Sequence, residues 1–228
     1  MIVTTHQPTF LPWPGFFFKA MKVDCMVLLD DVQFPRGRGW VNRNRLKNKQ
    51  GEMWLTVPVW KKGRGLQIIQ NVEICNESDW QRNHLLSIQQ HYANAPYLDE
   101  YLSILESIYR ENNNLLVELN LQMIKFNWEK LSLKTELYLQ SDLGVSGKGT
   151  ELIINICKHL SSDSYLTFPI VEKHLDVPLM NKSGIQIKFV SFNPPVYPQL
   201  WGDFIHNLST LDMLFNCGEK SKEIISKT

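Results

Sequence analysis

Two short apolar runs near the start of the chain, Ile2-Val3-Thr4-Thr5 and Cys25-Met26-Val27-Leu28-Leu29-Asp30, constrain the fold more than any other feature of the sequence. Neither run shows the alternation of a strand with one face in water, so both read as strands buried on two faces. Between them, Phe16 to Lys22 reads as a compact helix. Strand, helix and strand in that order predict a parallel pair, the opening of an α/β sheet. Ligands of such sheets settle beyond the C-terminal ends of the strands. His6, Gln7, Asp30, Asp31 and Gln33 all fall at such ends.

The link from His6 to Gly15 is stiff. Pro8, Pro12 and Pro14 remove three backbone donors and fix three φ angles, so this loop is shaped before anything binds to it. After Asp31 the pattern becomes irregular and cationic from Phe34 to Lys49. Met53 to Val59 then reads as a strand that Pro58 confines to an edge or an end, and Ile68 to Ile74 as another. The period changes at residue 76: Trp80 to Tyr92, Tyr97 to Arg110 and Leu115 to Leu131 read as helices, the second with Leu98, Leu102, Leu105 and Tyr109 on one stripe. Strands are predicted over Leu133 to Leu139, Tyr165 to Phe168 and Ile185 to Ser191, with helices over Thr150 to Leu160 and Thr210 to Phe215. The expected architecture is a single α/β domain over 1–228. A mostly parallel, Rossmann-like sheet is built from 1–75 and 133–228, and a helical lobe, 76–132, is inserted in it.

Composition narrows the function. At 228 residues and 43% hydrophobic content, the chain can bury a sizeable core and is not a disordered protein. A net charge of +1 argues against a general nucleic-acid binder. Yet the stretch from Arg36 to Arg64 holds nine basic residues and one acid, Glu52, which points to a discrete anionic ligand. Cys25, Cys75, Cys157 and Cys217 lack metal-ligand spacing and read as reduced thiols. With no leader-like N-terminus and no run approaching a membrane span, the expected location is cytoplasmic. Gly147-Lys148-Gly149-Thr150 lacks the full GxxxxGK[ST] pattern and reads as a glycine-rich cap of the helix that follows.

The candidate catalytic residues are His6, Asp30 and Asp31. An imidazole can donate, accept and titrate near neutrality, and one of the two carboxylates is expected to orient it, to bind a hydroxyl-rich sugar or to hold a divalent ion. Adjacent residues of a strand face opposite ways, so Asp30 and Asp31 cannot form a dyad by themselves. The candidate substrate-binding residues are Gln7, Lys19, Gln33, Trp40, Asn42, Arg43, Arg45, Gln199, Ser209 and Asp212. Arg36, Arg38, Arg43 and Arg45 suit phosphate, Trp40 suits a base or the apolar face of a sugar, and the other histidines read as surface or packing residues.

Taken together, His6-Gln7-Pro8, Phe10-Leu11-Pro12-Trp13, Asp30-Asp31-Val32-Gln33-Phe34, Trp40 with Asn42-Arg43-Asn44, Leu55-Thr56-Val57-Pro58-Val59, Tyr197 with Gln199, and Leu208-Ser209 with Asp212 resemble the WbqC-like family of bacterial proteins from end to end. One stretch departs: Tyr165-Leu166 is followed by Thr167-Phe168, where the resemblance leads one to expect a small Ser-Gly pair. The resemblance implies an association with O-antigen and other surface-polysaccharide clusters, and a transferase that puts an acyl or aminoacyl group, such as glycyl, on a nucleotide-linked amino sugar. In that chemistry His6 is the base, Arg43 and Arg45 hold the diphosphate, and the partners are an anionic sugar nucleotide and an acyl donor or carrier. No activated nucleophile is evident, so direct transfer is expected. Two alternatives stand beside it: a non-catalytic binding module, and a nucleotidyltransferase-like enzyme, the only one of the three that would need Mg²⁺.

Overall fold

The structure, a computed structural model, describes residues 1–37 and 39–228. Arg38 of the cationic stretch lies outside the described residues. Strand β1 (Ile2–His6) leads through the proline loop to helix α1 (Pro14–Met21) and strand β2 (Cys25–Leu28). Strands β5 (Glu136–Leu139), β6 (Ser164–Thr167) and β7 (Gln186–Phe189) complete a wholly parallel sheet in the order β5-β2-β1-β6-β7. The mixed α/β, Rossmann-like expectation therefore holds. β1 is central, with β2 on one side in the register His6 to Leu28 and β6 on the other in the register Val3 to Tyr165.

The two-sided burial of the strands has a simple source. Val3, Cys25, Val27 and Tyr165 pack against helices α6 (Gly149–His159) and α7 (Val177–Lys182) on one face of the sheet. Met26 and Leu28 alternate to the other face and join Phe16, Phe17 and Phe18. That second core runs on without a break into helices α2 (Trp80–Tyr92), α3 (Leu98–Arg110), α4 (Leu116–Lys130), α8 (Thr210–Cys217) and α9 (Lys220–Ser226). Helices α2 to α4 thus share one core with α1. No helix among the described residues is long and apolar enough to cross a membrane.

Two expectations need correction. The cationic stretch up to Lys49 is not all irregular: Arg43–Asn48 (β3) pairs antiparallel with Gly51–Thr56 (β4), Arg45 opposite Trp54, in a separate hairpin. Its inward face carries a polar residue, Asn44, beside Leu46, which hides the strand alternation from a hydropathy reading. Ile68 to Ile74 forms a 3₁₀ turn over Ile69–Asn71 instead of a strand. Its amides dock on the end of β2, Ile69 N–H to the Val32 carbonyl and Gln70 N–H to the Asp30 carbonyl, so no ladder forms. The short helix α5 (Gln140–Leu143) and helices α7 and α9 were not anticipated. From residue 190 to 209 the chain runs as an irregular strap with no helix or strand until α8 begins.

Candidate functional site

In an open parallel sheet the crevice lies where successive connections leave a central strand to opposite sides. Here that point is between β1 and β6, at the ends marked by His6 and Phe168. The proline loop crosses it and is held there by buried amides. Asn44 Nδ2 donates to the carbonyls of Phe10 (3.2 Å) and Leu11 (2.7 Å), and Asn120 Nδ2 to those of Pro8 (2.8 Å) and Val41 (2.7 Å). Trp13 folds back over Gly15 so closely that a Cβ there would fall 2.3 Å from the indole, which explains the glycine. The other edges of the same indole meet Phe168 at 6.0 Å and Phe192 at 5.2 Å.

The result is a cleft of about 320 Å³ lined by His6, Thr9, Trp13, Trp40, Asn44, Arg45 and Asn207. Elements distant in sequence meet in it: the end of β1, the proline loop, β3 and the end of the strap. His6 Nδ1 lies 2.9 Å from the Gln7 carbonyl, an oxygen that only accepts, so Nδ1 carries the proton and Nε2 keeps its lone pair. Burial first, and then the neighbouring Lys19 ammonium, push the imidazole down to about 3, so it is neutral at physiological pH. Lys19, on α1, is 3% exposed. Its Nζ donates to the Thr5 carbonyl at 2.8 Å and lies 5.6 Å from the Phe168 ring, and burial lowers its pKa from 10.5 to about 7. The group that changes charge near neutrality is therefore Lys19.

Of the residues singled out from the sequence, His6, Trp40 and Arg45 line this cleft, with Lys19 buried beside His6. The carboxylates do not join them. Asp30 is buried just beyond the end of β2 and turns toward the start of α5, where Ser141 binds both its oxygens, the N–H to Oδ1 (3.0 Å) and Oγ to Oδ2 (2.5 Å). The first turn of α5 has free amides, and a carboxylate there satisfies one of them. Asp31 accepts from Gln70 Nε2 at 2.8 Å. The expected pairing of a carboxylate with His6 is thus not formed. Asp30 and Asp31 are both engaged by protein donors, and among the described residues no three His, Cys, Asp or Glu side chains are gathered to hold a metal. The four cysteines are free, all but Cys75 buried.

The remaining candidates hold the frame. Asn42 Nδ2 donates to the Val57 carbonyl (2.9 Å), Ser209 Oγ caps α8 by accepting from Leu211 N–H (3.2 Å), and Gln33 is exposed and only bridges to Ile68. Gln199 Oε1 accepts from Lys47 Nζ (3.1 Å) and from Ile205 N–H (3.0 Å). Asp212 accepts from two buried phenols, Tyr92 (2.6 Å) and Tyr197 (2.7 Å). Burial raises its carboxyl pKa while the two phenols hold it down. Lys47, Gln199, Tyr197 and Asp212 together fasten the strap to β3 and α8. Gln7 contributes its backbone carbonyl to His6.

The guanidinium groups are also engaged. Arg45 pairs with Glu52 and donates to the Asn207 carbonyl (3.2 Å), which leaves its buried Nε without a partner. Arg43 donates from Nε to the Gly39 carbonyl (3.3 Å), its guanidinium 4.6 Å from the Trp54 ring. Thr9, Trp13, Asn44 and Asn207 line the cleft but were not among the candidate site residues. Trp13 and Asn44 stand inside motifs legible in the sequence, whereas nothing local marks Thr9 or Asn207.

No solved structure matches the chain. An uncharacterised protein of Mycobacterium tuberculosis (strain ATCC 25618 / H37Rv), Rv1507c, is 31% identical over 225 residues, covering 98% of this chain and 96% of that protein. The profile of the WbqC-like protein family matches residues 7–224, from the proline loop that roofs the cleft to the last helix, and the chain belongs to that family.

Proposed function

We propose that the protein is a transferase of bacterial surface-glycan biosynthesis that moves an acyl or aminoacyl group onto the amino group of a nucleotide-linked amino sugar, in the cleft beyond β1 and β6. The observation that carries this reading is the pairing of a neutral imidazole with a buried lysine whose pKa is about 7, at the switch point of the sheet. Amine acylation needs an acceptor for one proton as the new N–C bond forms and the leaving group departs with its electron pair. His6 Nε2, with its lone pair free, takes a hydrogen bond from the attacking amine and orients it. Lys19 Nζ, half of it unprotonated near neutrality, receives the proton, a division of labour that a weakly basic imidazole requires. Trp13 and Phe168 exclude water from one side, and Thr9 Oγ1, buried without a partner, offers a hydrogen bond to a sugar oxygen.

The test is incubation of the protein with sugar nucleotides bearing a free amine and with acyl or aminoacyl donors, products being read by mass spectrometry. A product heavier by one acyl group, lost with Lys19→Met and with His6→Ala, is the expected result. Ligand binding by thermal shift, with no product from any amine and donor pair, would reduce the protein to a binding module.

A further inference from the structure

We infer that the indole of Trp40 at the cleft mouth is the seat of the nucleobase, and that the cleft itself receives only the sugar. This rests on the preceding reading of the substrate as a nucleotide-linked sugar, and adds where its two halves lie.

Size makes the first part of the argument. A cleft of about 320 Å³ stands at the small end of ligand pockets, which run from about 300 to 1,000 Å³. That is room for one sugar ring with its substituents and not for a nucleotide behind it. The remainder of an activated sugar must lie outside, against whatever adjoins the mouth. Trp40 both lines the cleft and faces solvent, being 46% exposed. Trp54, which is 43% exposed, stacks on it with ring centroids 5.5 Å apart and planes 24° apart.

Two large indoles left in water cost apolar exposure, and these are held in place as well. The Trp40 carbonyl accepts from Phe10 N–H at 3.1 Å. The preceding Gly39 gives its carbonyl to Arg43 Nε and packs so closely on Pro35 that a Cβ would fall 2.7 Å from the proline ring. Trp54 lies opposite Arg45 across the hairpin, with the Arg43 guanidinium 4.6 Å from its ring. Arg43 and Trp54 therefore prop Trp40 as positioning residues. A rigid, exposed indole backed by a second ring and a cation is what a flat heterocycle needs, because the stacking gain is then not spent on ordering the platform. The Arg45 guanidinium, 5.5 Å from the Trp40 ring, also lines the cleft and supplies positive charge for the linking phosphates.

Calorimetric titration of the full chain with UDP, UDP-N-acetylglucosamine and ribose 5-phosphate tests this. UDP and UDP-N-acetylglucosamine are expected to bind, and Trp40→Ala to weaken both by about 5- to 150-fold, the range of one base stacked on one aromatic side chain. Binding of ribose 5-phosphate, which has no base, should not change. Trp40→Phe keeps a ring and should recover most of the loss. Trp54→Ala should lose affinity for UDP, with recovery by Trp54→Phe, which a merely structural role would not show. Equal binding of UDP-N-acetylglucosamine to wild type and Trp40→Ala overturns the placement of the base and leaves the sugar-nucleotide reading standing. Failure of the wild type to bind either nucleotide overturns both.

Discussion

Lys19 Nζ lies 2.8 Å from the Thr5 carbonyl oxygen, so a lysine on the first helix is bonded to the first strand one residue before His6. Its burial has measurable consequences for both activity and stability. Transfer is expected to rise with pH as Lys19 loses its proton near 7, and Lys19→Arg, which stays charged, should not restore the activity lost in Lys19→Met. For stability, the folded pKa lies below the unfolded one, so between about 7 and 10.5 the unfolded chain holds more protons and stability increases with pH. Urea titrations at pH 7.0 and 8.5 should differ by about 2 kcal/mol through this group, and Lys19→Met should remove the difference. The comparison stops at 8.5 because the buried thiols of Cys25, Cys157 and Cys217, raised to about 11 or 12, act in the opposite sense at higher pH.

His84 governs the acid side. It is buried beside Tyr109, with Nδ1 3.2 Å from the phenol oxygen, and burial lowers its pKa to about 4. Below 6.5 the unfolded chain takes a proton that the folded chain refuses, so stability falls as pH drops from 6.5 toward 4, by about 3 kcal/mol for this residue. His6 adds to the same loss, extending it toward 3. Thermal unfolding at pH 7 and pH 4.5 should show a smaller difference for His84→Gln than for the wild type.

Asp212 and its two phenols give an ordered pair of stability effects. Tyr197→Phe removes one donor to the carboxylate and should cost about 1–3 kcal/mol, as for a buried group left unpaired. Tyr92→Phe should cost more, because the Tyr92 oxygen also accepts the backbone N–H of Lys47 at 2.8 Å and its loss orphans two buried groups. Denaturant unfolding of the two variants in parallel checks the order. Equal effects would mean that the Lys47 amide finds another partner.

Phe168 shields Lys19 and packs on Trp13. Phe168→Gly should open the cleft on that side, so that a bulkier acyl donor shows a lower KM. Water reaching Lys19 should also move the pH-dependent limb of activity above 7, toward the ordinary lysine value, since burial is the cause of the depression. A profile that stays at 7 with a wider acyl range would separate the steric role of Phe168 from its electrostatic one.

Much of the fold was legible because it depends on local pattern. Val3, Val27 and Leu28 announce strands buried on two faces, and the parallel sheet follows from a helix lying between such strands. The second strand of the hairpin overlaps the strand read over Met53 to Val59, but the first, Arg43–Asn48, was not legible, because the inward-facing Asn44 is polar for a tertiary reason: it binds the carbonyls of Phe10 and Leu11 more than thirty residues away. Ile68 to Ile74 has the composition of a strand, yet its amides are taken by Val32 and Asp30.

The sequence by itself determined that a proline-stiffened loop follows the first strand, that His6 stands at that strand's end, and that a cationic, tryptophan-bearing stretch follows the second. Those are properties of backbone conformation and spacing, which neighbouring residues settle. Only the tertiary structure decided that Asp30 serves Ser141 instead of His6, that Lys19 is the group titrating near neutrality, and that Trp40 guards the mouth. Which charges meet, and how much water reaches each, is set by elements far apart in the chain, and so no local pattern records it.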